Sequence, residues 1–157
     1  MFHRWAALAL VLALCAFAPK HAAGQQSQSP RGRKAGSLGQ NYPNPANPQT
    51  IIPFTVGDES CTETGGGGGP KHVVTLRIYN ILSQLVAVPK LRSPSGGVDS
   101  SAMIARPVQG LRLTCGSYSA LWDGKQMGTG REVPAGTYVY ELIVDGQREV
   151  RKMLVAK

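Results

Sequence analysis

Beyond residue 24 the chain holds two cysteines, Cys61 and Cys115, and a single histidine, His72. Nucleophilic catalysis needs a base beside the nucleophile, yet His72 stands at a strand start beside Lys71, and Ser83, Ser117 and Ser119 lack a nucleophile-elbow setting. The glycine run at 65–69 invites a phosphate-loop reading, but Pro70 and His72 occupy the positions flanking Lys71 where that motif needs Gly and Ser or Thr. Asp58, Glu59 and Glu63 lack the alternating ligand spacing of a calcium loop, which leaves a solvated acidic loop. Asp123 and Asp145 each precede a glycine, as turns require, and Glu132 and Glu141 form no acid–base pair with them. These residues predict neither an enzyme nor a cofactor, and two cysteines with one histidine are too few for a metal reading.

The remaining chemistry is the cysteine pair itself. Residues 1–24 read as a secretory signal peptide, with His3 and Arg4 ahead of the apolar run WAALALVLALCAFA and small residues at Ala22 and Gly24. The run is too short to span a bilayer, so no stable membrane insertion is expected after cleavage. An oxidising destination makes a Cys61–Cys115 disulfide the expected state, with two free thiols the alternative. The bridge closes a loop of roughly 55 residues, for which chain entropy gives about 4 kcal/mol.

Residues 25–37, polar and rich in Arg and Lys, read as a flexible linker. From Leu38 onward twelve basic residues face nine acidic ones, a net charge of +3. That balance, without clustering, excludes a nucleic-acid footprint.

Residues 38–157 carry strand signals and no sustained helical period. TIIPFTV (50–56), HVVTLRIYN (72–80), QLVAV (84–88), YSALWDG (118–124), GTYVYELIVDG (136–146) and QREVRKMLVAK (147–157) alternate apolar and polar residues, and Asp145–Gly146 marks a hairpin turn. About seven such strands between Gly, Pro and Asn clusters predict an antiparallel all-β sandwich with two long loops, at 57–72 and 89–117, the second with room for one extra strand near QGLRLTC. Trp122, Tyr118, Tyr138 and Tyr140 share strand faces with Leu142 and Val144, so they read as core rather than a sugar- or base-stacking platform, and no small-molecule substrate is expected. Pro43, Pro45 and Pro48 hold Tyr42, Asn44 and Asn47 extended, making a stiff entrance to the domain. Pro53 deletes a ladder donor and places its strand at a sheet edge.

The ordered series LGQNYPNPANPQTIIPF, VTLRIYNILSQLVA, WDG, VPAGTYVYEL and RKMLV resembles the C-terminal sorting domain of type IX secretion cargo, related to the Ig-like domain of the flagellar hook-capping protein. The match runs from about Leu38 to Lys157. The resemblance implies an Ig-like sandwich of about seven strands recognised by an outer-membrane translocon for secretion or surface attachment. It highlights Tyr42, Pro43, Asn44 and Pro45 in the entry segment, Gly136 and Tyr138 in the late strand, and Lys152 and Lys157 at the basic end. Where the family pattern has a glycine after the second strand, this chain has Ser83. Leader, linker and domain are expected to account for the chain without a passenger, so the alternative is a stand-alone structural or adhesive Ig-like module binding a cell-surface protein. Either way the product is exported: periplasmic in transit, then at the cell surface or outside. Intact-mass measurement of the exported protein should show residues 1–24 removed; a full-length mass would overturn the leader reading.

Overall fold

The computed structural model describes residues 34–57, 61, 69–94 and 104–157. All of them belong to one compact unit, Arg33–Lys157. The leader, linker residues 25–33, the acidic residues 58, 59 and 63 and most of the glycine run lie outside the described residues.

The described chain is built on strands: β1 (Gly36–Leu38), β2 (Tyr42–Asn47), β3 (Gln49–Val56), β4 (Lys71–Tyr79), β5 (Leu85–Ala87), β6 (Lys90–Pro94), β7 (Leu111–Thr114), β8 (Gly116–Trp122), β9 (Gly136–Val144) and β10 (Gln147–Val155). Two sheets pack face to face. In the first, β3 lies between β8 and the successive strands β1 and β2, with β6 beyond β8. In the second, β9 lies between β4 and β10, and β5 and β7 share the other edge of β4. Pairing is antiparallel except where β2 joins β10 in parallel, Ala46 opposite Val155, and so links the sheets at one corner. Opposite this, residues 105–108 bond Leu91 and Pro89 on one side, and the Val108 carbonyl accepts Leu76 N–H on the other. Among the described residues no helix is long and apolar enough to cross a membrane.

The all-β sandwich follows from the alternation. Ile52, Phe54 and Val56 of β3, Val74, Leu76 and Ile78 of β4, and Tyr138, Tyr140, Leu142 and Val144 of β9 are all buried in one core. Phe54 stacks on Tyr118 with centroids 5.6 Å apart, and Trp122 tilts against Tyr138 at 5.8 Å, so these aromatics are core. The Asp145–Gly146 hairpin is as expected: φ is +48° and +84°, and Val144 pairs with Gln147. Ser83 adopts φ +59°, the left-handed region that favours glycine. Asn80 holds that turn, its Oδ1 accepting the N–H groups of Leu82 and Gln84.

Four expectations are corrected. Among the described residues there are ten strands rather than about seven, because β1, β2 and β6 are short or proline-bearing and carry little apolar alternation; five of the six residues of β2 are exposed. Gly36 and Ser37, assigned to the linker, pair with Val56 and Thr55. The stretch 89–117 holds more than the one strand expected near QGLRLTC, which is β7, since β6 and the 105–108 crossing lie within it too. Finally, Pro53 is not on an edge strand. Its carbonyl accepts Gly39 N–H at 2.8 Å, so its missing donor faces residues 39–41, where the chain has left β1 and not yet entered β2.

That gap is filled by a buried polar knot. The Tyr140 hydroxyl, on a fully buried ring, donates to the Gly39 carbonyl at 2.9 Å and accepts Asn41 N–H at 3.1 Å. Asn41 Nδ2 donates to the Pro43 carbonyl and to Thr50 Oγ1, and Thr50 Oγ1 donates to the same carbonyl at 2.9 Å. Burial pushes the Tyr140 phenol above its ordinary pKa, opposed in part by the Asn41 N–H and the Arg151 charge, so it stays a neutral donor. Tyr140→Phe leaves a backbone carbonyl and N–H without this partner and should cost about 1–3 kcal/mol of unfolding free energy, read from chemical denaturation.

Candidate functional site

Two places gather the residues singled out from the sequence. The first is the corner where β2 meets β10. Asn44 Oδ1 accepts Leu154 N–H at 2.9 Å across 110 positions of sequence, and Ala156 N–H reaches the Ala46 carbonyl at 2.8 Å. On the other side of β10, Gly136 pairs with Val155, Tyr138 with Met153 and Val139 with Lys152. Tyr42, Pro43, Asn44, Pro45, Gly136, Lys152 and Lys157 are exposed. Tyr138 is not: it is buried against Trp122, its hydroxyl donating to the Pro134 carbonyl, and burial raises its pKa. Tyr138 therefore shapes the strand rather than offering a surface.

Exposed apolar groups border the motif. Tyr42 is 53% exposed and Leu154 50%, both far above core values. The WDG turn lies beside the entrance too. Gly124 has φ +75°, and a Cβ there would come 2.6 Å from the Pro48 carbonyl oxygen, so the entry segment and this turn fit only around glycine.

The second place is the cysteine pair. Cys115 is the single residue between β7, which pairs with β4 in one sheet, and β8, which pairs with β3 in the other. Cys61, in the β3–β4 connection, is bonded to it, with Cα atoms 5.7 Å apart. Gly57 permits the approach, since a Cβ at its φ of +97° would collide with Cys61 Sγ. His72, opposite Leu113 in the β4–β7 ladder, places Nε2 3.7 Å from Cys115 Sγ. Its Nδ1 lies 2.6 Å from Asp145 Oδ2. Asp145 Oδ1 accepts Val73 N–H at 2.8 Å, and Asp145 N–H returns to the Val73 carbonyl.

The sequence foresaw the bond but not the company. It treated Asp145 as a turn residue and left His72 without a nucleophile. The sulfurs and an imidazole nitrogen lie within 4.8 Å of one another, but the sulfurs are bonded to each other and so offer no thiolate ligands. No sequence signal links positions 72, 115 and 145; only the β4 registers with β7 and β9 do so.

No protein-family model matches the chain, and no curated protein matches it either. Among solved structures it is similar to an alkylpurine DNA glycosylase from Pseudomonas fluorescens bound to DNA containing an abasic site analogue, with TM-score 0.44 and 13% identity. That match covers 78% of this chain and 31% of the glycosylase chain, so this chain spans about a third of the other's length. The expectation that the chain is not an enzyme is not carried forward beside a likeness to a DNA glycosylase. At this level the likeness assigns neither glycosylase activity nor DNA binding to the present chain.

The Val73 N–H, and then the His72 hydrogen bond and charge, hold the Asp145 carboxyl below the usual carboxylate range. A depressed folded pKa contributes stability that is present above the unfolded value of about 4 and is lost as pH falls through the folded one. Asp145→Asn should therefore flatten the decline of the denaturation midpoint below about pH 4. The change should be small, because the Asp145 side chain is 45% exposed and solvent screens it.

Proposed function

We propose that the domain is an exported sorting module of the type IX secretion kind, read by a protein partner at the corner where β2, β9 and β10 meet. One observation carries this reading. The motif positions 42–45, 136, 138 and 152, scattered through the sequence, are neighbours on three adjoining strands, and Lys157 follows two residues after Val155. Tyr42 and Leu154 supply apolar contact there, while Lys152 and Lys157 supply positive charge. Such a surface suits a translocon component with an apolar groove and an acidic rim. The Cys61–Cys115 bond fits an exported destination.

Removing the last seven residues is a poor test, because β10 pairs along its whole length with β9 and also touches β2. Point substitutions on its exposed positions spare the core. The double variant Lys152→Glu with Leu154→Asp should keep its circular dichroism spectrum and accumulate in the periplasm of the native cell, with surface or extracellular protein falling about tenfold. Delivery equal to the wild type by a folded variant overturns the sorting reading and leaves a stand-alone adhesive module in its place.

A further inference from the structure

The sorting reading makes no use of the cluster at the opposite corner. There His72 is gripped by Asp145 through Nδ1, which turns Nε2 toward Cys115 Sγ at 3.7 Å. The position of the carboxylate does not depend on the imidazole alone, since Val73 N–H anchors it independently. The His72 side chain keeps 17% exposure, and Cys61 and Cys115 are half-buried, so the bond sits at the surface rather than sealed in the core. A purely structural disulfide requires neither the imidazole nor the carboxylate behind it.

We propose that Cys61–Cys115 is an exchange-competent disulfide, in which Cys115 is the leaving sulfur, His72 stabilises its thiolate, and Asp145 positions His72. The co-reactant is an external dithiol. Exchange proceeds faster when the departing thiolate is better stabilised, which directs attack to Cys61 and departure to Cys115. One thiol of the dithiol passes its proton to His72 Nε2 and its thiolate forms a bond to Cys61 Sγ as the Cys61–Cys115 bond breaks, so that the electron pair leaves on Cys115 beside that Nε2–H. The second thiol of the reagent loses its proton and displaces Cys61, which leaves as a thiolate and takes up that proton. The reagent departs as a disulfide. Two electrons and two protons have passed to the protein, one proton on Cys61 and one shared between Cys115 and His72.

Among the described residues the groups around Cys115 are few. His72 comes from β4 and Asp145 from the β9–β10 turn. Tyr118 of β8 donates its hydroxyl to the Thr114 carbonyl, and Lys71 lies opposite Thr114. Proximity of a protonated imidazole lowers a thiol's pKa from about 8.5.

The test uses the full exported chain and dithiothreitol as the dithiol. Reduction of the wild type should run about tenfold faster than that of His72→Asn, followed by quenched alkylation and mass analysis. In the reduced wild type, the alkylation rate of Cys115 should rise at lower pH than that of Cys61, and the gap should close in Asp145→Asn. The comparison of two cysteines within the wild type requires no variant to fold. Equal reduction rates for wild type and a folded His72→Asn, or one common alkylation profile near pH 8.5 for both cysteines, would overturn the proposal. Because delivery to the cell surface is not the readout, failure here is distinct from failure of the sorting reading.

Discussion

The two-sheet architecture depends on one phenol. Tyr140 is in the middle of β9, in the sheet opposite β3, and its hydroxyl holds the three residues that carry the chain from β1 to β2. Those residues have no complete ladder of their own. Gly39 N–H finds the Pro53 carbonyl, while the Gly39 carbonyl and Asn41 N–H turn inward and meet the same oxygen of Tyr140. A buried backbone group without a partner is costly, and here one side-chain oxygen satisfies two. Among the described residues no buried side-chain nitrogen or oxygen lacks a partner, so the crossing is a finished joint rather than a defect.

The same joint explains what the sequence did and did not reveal. Period-two alternation exposes β3, β4, β8 and β9 because each buries one face, and Asp145–Gly146 announces its own hairpin. In contrast, β2 reads as a proline-stiffened arm. Its strand character comes from its partners, Ile51 in the next strand on one side and the distant Val155 on the other. Pro53 misleads for a related reason: a proline demands that one local donor be dispensable, not that a whole strand lie at an edge. Here the dispensable position faces a break between two short strands that share one side of β3. The His72 cluster was hidden because register, not residue order, brings positions 72, 115 and 145 together.

Both candidate sites occupy corners where the two sheets are joined. At one corner β2 and β10 meet in parallel, and the motif residues crowd around the join. At the other, Cys115 marks the step from β7 to β8, and the disulfide ties that step to the β3–β4 connection. Sheet faces are committed to the core, so the corners are where polar and reactive side chains find room without disturbing it. The Glu149 carboxylate shows the same division of labour at the start of the domain. It accepts Leu38 N–H at 2.7 Å and bonds Lys34 Nζ at 2.8 Å, fastening the short β1 to β10 without entering the core.

β10 also imposes an order in time. It is made after every other described strand, yet its neighbours are β9, made just before it, and β2, made more than a hundred positions earlier. The parallel join between β2 and β10 cannot form until synthesis has passed Val155. Until then β2 lacks one partner and the two sheets lack one of their links, so the nascent domain remains incomplete. The closed sandwich is thus a record that synthesis has passed Val155. A chain interrupted within β10 would present the strands but not the corner they build together.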